Sequence, residues 1–233
     1  MTLLSACQGA AKAAGLAAPS TVYGSTDPNN ALLFAAAEEE IESLARHHDW
    51  TVLQREHTFS TVASTPAYAL PADFERFIDF TAWDRSDYEA MRGPLSAAQW
   101  QAVKSSVLGS SVTINRRWRV KYSTGDSANM FYLDPTPDSA ANLVFEYVTS
   151  KPIVHSGSAV SAWAGDSDTT ILDEWLLRLG IKWRVLERLG LAYAEARDEY
   201  ERERDKAVAR DGGMPALSLS VSPRGEPHLL GLH

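Results

Sequence analysis

Residues 172–211 read LDEWLLRLGIKWRVLERLGLAYAEARDEYERERDKAVARD. Apolar residues recur at Leu172, Trp175, Leu176, Leu179, Trp183, Leu186, Tyr193 and Tyr200. Spacings of three, four and seven hold them on one face of a helix for about eight turns. Gly180 and Gly190 interrupt the stripe, and Gly190 is the expected break or kink. From Glu195 to Arg210 the pattern turns strongly polar. Asp198 with Arg202, Glu199 with Arg202 and Glu203 with Lys206 are expected to pair across one turn. A helix that leaves its core in this way needs a second surface to lean on. Gly212-Gly213 ends it, and a tail follows in which Leu217, Leu219 and Val221 alternate with serines. Leu229, Leu230 and Leu232 add apolar surface beyond Pro223 and Pro227. An apolar, alternating segment suits strand addition to a sheet, either its own or a partner's.

The opposite end of the chain is also helical. Leu3, Leu4, Cys7, Ala10, Ala11 and Ala14 give a small-residue face from Thr2 to about Leu16, ended by Gly15 and Pro19. Asp27 is a natural N-cap and Pro28 a natural first helical residue. The second helix runs to about His47, with Leu33, Ala37, Ile41 and Leu44 inside and Glu38-Glu39-Glu40 on the wet side. The middle reads as strands: 51–61, 112–114, 118–122, 130–133 and 143–149. No helix long enough for a parallel crossover lies between the later ones, so the pairing is antiparallel. Asp73–Phe80 and Ser86–Met91 are each read as holding a helical turn. Ser96 and Gln99 fit a capping box for a short helix through Trp100. Residues 154–168, rich in Ser, Gly, Ala and Asp around Trp163, read as a flexible loop. The fold class is α+β. A helical bundle is built from residues 1–50 and 169–211, with a β-rich antiparallel insertion at 51–153 and an extended arm at 212–233.

Composition and motifs exclude most chemistry. The 233 residues carry 22 basic and 30 acidic side chains, a net charge of −8. That balance argues against a broad basic face gripping duplex DNA. One cysteine, Cys7, rules out an internal disulfide framework and a Cys-based zinc cluster. Leu4-Ser5-Ala6-Cys7 has the form of a lipoprotein box but lacks the basic start and the apolar run of a signal peptide. No apolar run approaches the ~18–20 residues of a membrane span, so the chain reads as soluble. Gly-rich phosphate loops and a Gly-x-Ser-x-Gly elbow are missing. His47-His48-Asp49 diverge around a helix and do not share one ion easily. Asp166-Ser167-Asp168-Thr169-Thr170 has the form of a phosphoryl-transfer Asp-x-Asp-x-Thr. That chemistry needs a buried strand before it, and Ala162-Trp163-Ala164-Gly165 is a poor one. An N-cap role for Asp168 or Thr169 explains the residues better. Arg116, Arg117 and Arg119 around Trp118 form the one basic patch with an aromatic, read as partners in internal or intersubunit ion pairs. Catalytic, cofactor and metal residues are therefore expected to be none.

The order of segments carries a resemblance. Leu3-Leu4-Ser5-Ala6-Cys7 opens a small-residue helix, and Pro19-Ser20-Thr21-Val22 follows. A second helix ends in Ala45-Arg46-His47-His48-Asp49-Trp50. Leu70-Pro71-Ala72-Asp73-Phe74-Glu75-Arg76, Gln99-Trp100, Phe131-Tyr132-Leu133-Asp134-Pro135-Thr136-Pro137 and Phe145-Glu146-Tyr147-Val148 come next, before the C-terminal helix. From about Leu3 to Asp211 this resembles the head-to-tail adaptor (connector) proteins of tailed bacteriophages. The resemblance implies a non-enzymatic structural protein of the virion neck, made in the host bacterial cytoplasm. It implies a homo-oligomeric ring, commonly a dodecamer, under the portal protein, with a tail or nozzle protein below. DNA would pass through without specific binding, and no membrane is involved. The candidate interface residues are Trp163, Tyr200, Arg202, Leu217, Leu219, Val221, Leu229 and Leu230. The competing readings are a soluble non-viral oligomeric scaffold and a small phosphoryl-transfer hydrolase using Asp166 and Asp168.

Overall fold

Capping residues set the helix starts. A computed structural model describes residues 1–105 and 115–212. Helix α1 spans Leu3–Ala13, and the Thr2 hydroxyl accepts from the Ser5 N–H at 3.3 Å. Helix α2 spans Pro28–His47, with the Asp27 carboxylate accepting from Asn29 and Asn30 N–H at 2.9 and 3.1 Å. Helix α3 spans Ala97–Ser105 behind a reciprocal Ser96–Gln99 box. The long C-terminal pattern splits into α4, Glu174–Arg188, and α5, Ala194–Asp211. Gly190 makes the break at φ +68°, a left-handed conformation that glycine adopts without a Cβ clash. Asp173 caps α4, where Asp168 or Thr169 had been expected to. Those residues instead precede or form a short strand, so the cap lies further along.

Helix α4 packs against α1, α2 and α5. The shared core includes Leu3, Cys7, Ala10, Leu33, Ala37, Leu44, Leu176, Ile181 and Val185. Small side chains on α1 let the backbones approach closely. Glu40 corrects the expectation that Glu38–Glu40 face solvent: it is fully buried. Helical periodicity explains this, because position 40 lies on the stripe of Leu33, Ala37 and Leu44. Arg184 Nε meets its carboxylate at 2.9 Å, while Glu39 at the rim takes Arg188 at 2.5 Å. Gly180 leaves the space; a Cβ there would stand 2.0 Å from Glu40 Cδ. Burial raises the Glu40 pKa, and the neighbouring Tyr200 hydroxyl and the Arg184 guanidinium pull it back.

The strands are β1 Gln54–Ser60, β2 Ala67–Ala69, β3 Phe74–Phe77, β4 Trp83–Asp84, β5 Glu89–Ala90, β6 Arg117–Ser123, β7 Ala128–Asp134, β8 Asn142–Thr149, β9 Ile153–His155, β10 Ser158–Val160 and β11 Thr169–Thr170. All pairings between them are antiparallel. Strand β8 is central to the largest sheet. β1 lies along one of its edges, from Gln54 opposite Val148 to Ser60 opposite Asn142. β3 and β4 share the other edge, and β5 follows β4. The order β2-β7-β6 makes a second sheet, which packs on the first through aromatic side chains. Phe131 stacks with Trp118 at 4.9 Å and with Phe145 at 5.4 Å between ring centres. β8 serves both interiors: Phe145 and Tyr147 enter this aromatic core, and Val148 enters the helical one.

Two further expectations are corrected. Residues 73–80 and 86–91 form β3, β5 and turns, not helical turns, because cross-strand partners on β8 and β4 override weak local preference. Residues 154–168 are not plain loop: β9 and β10 form a hairpin, and β11 completes a third sheet in the order β10-β9-β11. Two arginines of the basic patch are spent on ion pairs inside the chain; among the described residues Arg119 makes none. Arg116 meets Asp84 at 2.5 Å and Arg117 meets Asp134 at 3.8 Å. The segment read as a strand at 112–114 lies outside the described residues.

Gly180→Ala forces a methyl into Glu40. It is expected to cost about 1–3 kcal/mol, the usual range for overpacking, measured by chemical denaturation. In a Glu40→Ala background the same change should cost much less. Equal costs in both backgrounds would contradict the close approach.

Candidate assembly surface

Helix α5 buries only Ala196 and Tyr200, so most of its surface is charged and wet. Tyr200, a candidate interface residue, points inward and is 4 % exposed. Burial, then the neighbouring Glu40 charge, raises its hydroxyl pKa. Its ring lies 6.2 Å from that of Trp183 on α4. Trp163 also lies inside the chain, in the helical core, at the edge of a hollow of about 400 Å³ lined by Ile41, Arg46 and Arg76. Arg202 is on the surface. Its expected partners pair elsewhere or not at all: Glu199 reaches Lys182 on α4 at 3.0 Å, and among the described residues Arg202 makes no ion pair. Glu203 does take Lys206, at 2.7 Å. Leu217, Leu219, Val221, Leu229 and Leu230 lie outside the described residues.

Asp166 and Asp168 act as clamps. Asp166 accepts from the Thr21 hydroxyl at 2.5 Å and from the N–H groups of Val22 and Tyr23 at 3.0 and 2.9 Å. Asp168 accepts from the N–H groups of Ala164 and Gly165 at 2.6 and 2.9 Å and from His155 Nδ1 at 2.7 Å. Their backbone carbonyls take the first amides of α1: Leu3 N–H to Asp168 at 2.7 Å and Leu4 N–H to Asp166 at 3.2 Å. The loop thus satisfies donors that the start of a helix leaves over. Burial pushes both carboxyl pKa values up, but the hydrogen bonds outweigh it and hold both below the ordinary carboxylate range. Cys7 is buried under this joint, and burial raises its thiol to about 12.

A third feature lies around β4 and the turn that follows it. Phe80 and Tyr88 are 79 % and 86 % exposed, with φ of 63° and 57°. Bulky side chains in the left-handed region cost about 1–3 kcal/mol each. Trp83 lies between them, and together with Val144, Glu146 and a Glu56–Arg85 pair they line an open hollow of about 400 Å³. Buried Asp84 organises the turn, accepting from Ser86 and Asp87 N–H at 2.9 and 3.2 Å while pairing with Arg116. Exposed aromatics on a rigid turn are what protein contacts favour. The available signals were the alternation Phe80-Thr81-Ala82-Trp83-Asp84 and the turn residues after it.

The Asp168 pKa is depressed in the fold. Its stabilisation is therefore complete above the unfolded value, about pH 4, and is lost as pH falls through the folded value. Asp168→Asn should cost about 1–3 kcal/mol at pH 7, the range for a buried acceptor left poorly matched. It should also flatten the acid side of Tm against pH. An acid limb identical to that of the unaltered protein would contradict the clamp. Tyr88→Gly relieves the left-handed backbone and should leave stability unchanged or raise it by about 1 kcal/mol; a clear drop in Tm would show that the exposed ring is held by contacts.

No curated protein matches the chain. A family model described as SU10 adaptor protein matches residues 1–222. The resemblance read from the order of segments and this match, over nearly the whole chain, agree: the protein belongs to the SU10 adaptor protein family, a family of phage adaptors.

Proposed function

We propose that the chain is the ring adaptor of a bacteriophage neck, docked under the portal and joining the DNA-filled head to the tail. The family match over residues 1–222 carries the reading. In this account residues 1–50 and 169–211 are the helical bundle, and residues 51–153 are a β-rich insertion projecting from it. Copies associate head to tail through unlike surfaces, and such contacts close into a ring when the rotation allows, here a dodecamer. The portal lies above and a tail or nozzle protein below. The wet face of α5, with Arg202, is one contact surface. The arm at 212–233 is another, with Leu217, Leu219, Val221, Leu229 and Leu230 buried on assembly. An acidic chain of net charge −8 suits a conduit, because acidic walls let DNA slide without sticking. The protein works in the virion neck after synthesis in the host bacterial cytoplasm. It performs no chemistry: Asp166 and Asp168, the residues closest to a hydrolase motif, spend their oxygens on the N-terminal segment and their own loop.

Sedimentation of purified chain with its cognate portal tests this. The full chain should travel with portal rings and add a layer of mass beneath them in electron micrographs. A variant lacking residues 214–233 should melt like the full chain and bind more weakly. A full chain that stays unbound would refute the adaptor reading; a truncated chain that docks normally would remove the arm from it.

A further inference from the structure

We propose that the hollow beside β4 is a socket for an arginine side chain presented by an unlike, basic partner protein. The site is separate from the contact surfaces proposed for the ring and stands whether or not the portal reading does.

The walls of the hollow come from one face of the largest sheet and from the loops around β4. On β8, Val144 and Glu146 lie on the face opposite Leu143, Phe145 and Tyr147, which enter the aromatic core. Val144 has Thr58 of β1 on one side and Trp83 of β4 on the other. Phe80 and Tyr88 flank Trp83, and all three rings line the hollow. The fold holds Phe80 and Tyr88 at positive φ without burying either ring. A strained backbone carrying an exposed ring does little for the core. It presents the ring already ordered, which lowers the entropic cost of a contact made there.

Charge completes the description. Glu56 on β1 stands directly opposite Glu146 on β8. Like charges in that position repel. Arg85 takes Glu56 in a two-pronged pair, Nη1 to Oε1 at 3.2 Å and Nη2 to Oε2 at 2.8 Å. Buried Asp84 is matched by Arg116. Glu146 is half-buried and, among the described residues, makes no ion pair. Three carboxylates at the hollow thus meet two guanidiniums, and the negative charge left over lies beside three aromatic rings.

A cation from outside completes such a site. Aromatic faces attract it through their quadrupoles, and the carboxylate fixes its position. Arginine suits the site better than lysine, because its planar guanidinium stacks on a ring while its N–H groups reach a carboxylate. An open hollow of about 400 Å³ admits a whole arginine side chain. The net charge of −8 decides between occupants. A second copy brings mostly like charge to an acidic hollow, whereas a basic partner is drawn to it.

The test titrates the full chain with the peptide acetyl-Gly-Arg-Gly-amide and follows the Trp83 indole N–H by NMR, assigned through Trp83→Phe. The expected result is a saturable shift at millimolar peptide. Replacing the peptide's arginine by citrulline, its neutral isostere, should weaken binding by roughly tenfold, the scale of one charged aromatic contact. Glu146→Gln should weaken it by roughly fivefold. The same change should leave Tm unchanged or higher, because it removes the repulsion with Glu56. A clear drop in Tm would show that the fold itself uses the Glu146 charge, and would overturn the proposal. Equal affinity for the arginine and citrulline peptides, or no saturable shift at Trp83, would overturn it as well. Sedimentation velocity gives the remaining check: a dimer that forms at the same protein concentration and is lost in Tyr88→Gly would assign the hollow to a second copy and against a basic partner.

Discussion

A carboxylate with no exposed surface holds the helical half together. Glu40 on α2 reaches across to Arg184 on α4 and lies beside Tyr200 on α5. Gly180 makes room for it, so one missing side chain permits one buried charge. Removing either partner of such a pair leaves an uncompensated charge inside the protein and costs about 3–5 kcal/mol. The pair is thus weak evidence for high stability but strong evidence for a fixed arrangement. In this arrangement Arg184 Nε takes one carboxylate oxygen at 2.9 Å, and the other, Oε1, is buried without a hydrogen-bond partner among the described residues. Around it, Lys182–Glu199 ties α4 to α5 and Arg188–Glu39 ties α4 to α2.

That fixed arrangement reaches the sheets through two covalent neighbours. β8 places Val148 in the helical core and Phe145 in the aromatic one, so the two interiors share a strand. The segment after it turns back through β9 and β10, and its aspartates hold the start of α1 and the stretch from Thr21 to Tyr23. Among the described residues, the charged outer face of α5 and the aromatic turn with Phe80 and Tyr88 are surfaces left unspent. In the proposed ring a subunit would meet several unlike neighbours, and surfaces of distinct chemistry would suit that role.

Local chemistry made much of the fold legible. Asp27-Pro28 marked the start of α2, Ser96 with Gln99 the start of α3, and Gly190 the break between α4 and α5; each signal acts within a turn of its own position. Distant partners hid the rest. The charge of Glu40 points to solvent but its position in the helical period points to the core, and its partner Arg184 lies 144 residues away. β3, β4 and β5 are two to four residues long and exist because β8 offers an edge. The aspartates at 166 and 168 looked like a cap or a phosphoryl site because the amides they accept from, at Val22 and Tyr23 among others, are remote in sequence or belong to an irregular loop. The candidate interface residues that are described lie in two kinds of place. Tyr200 and Trp163 lie inside the chain because large aromatics in amphipathic elements usually serve the core, while Arg202 is on the surface.

The central claim is that this protein is a fixed part of the virion neck. Quantitative mass spectrometry of purified virions tests it most directly. The account predicts that the chain is present at a constant ratio to the portal protein, in copy numbers of a ring. Purified infectious virions without it would contradict the account.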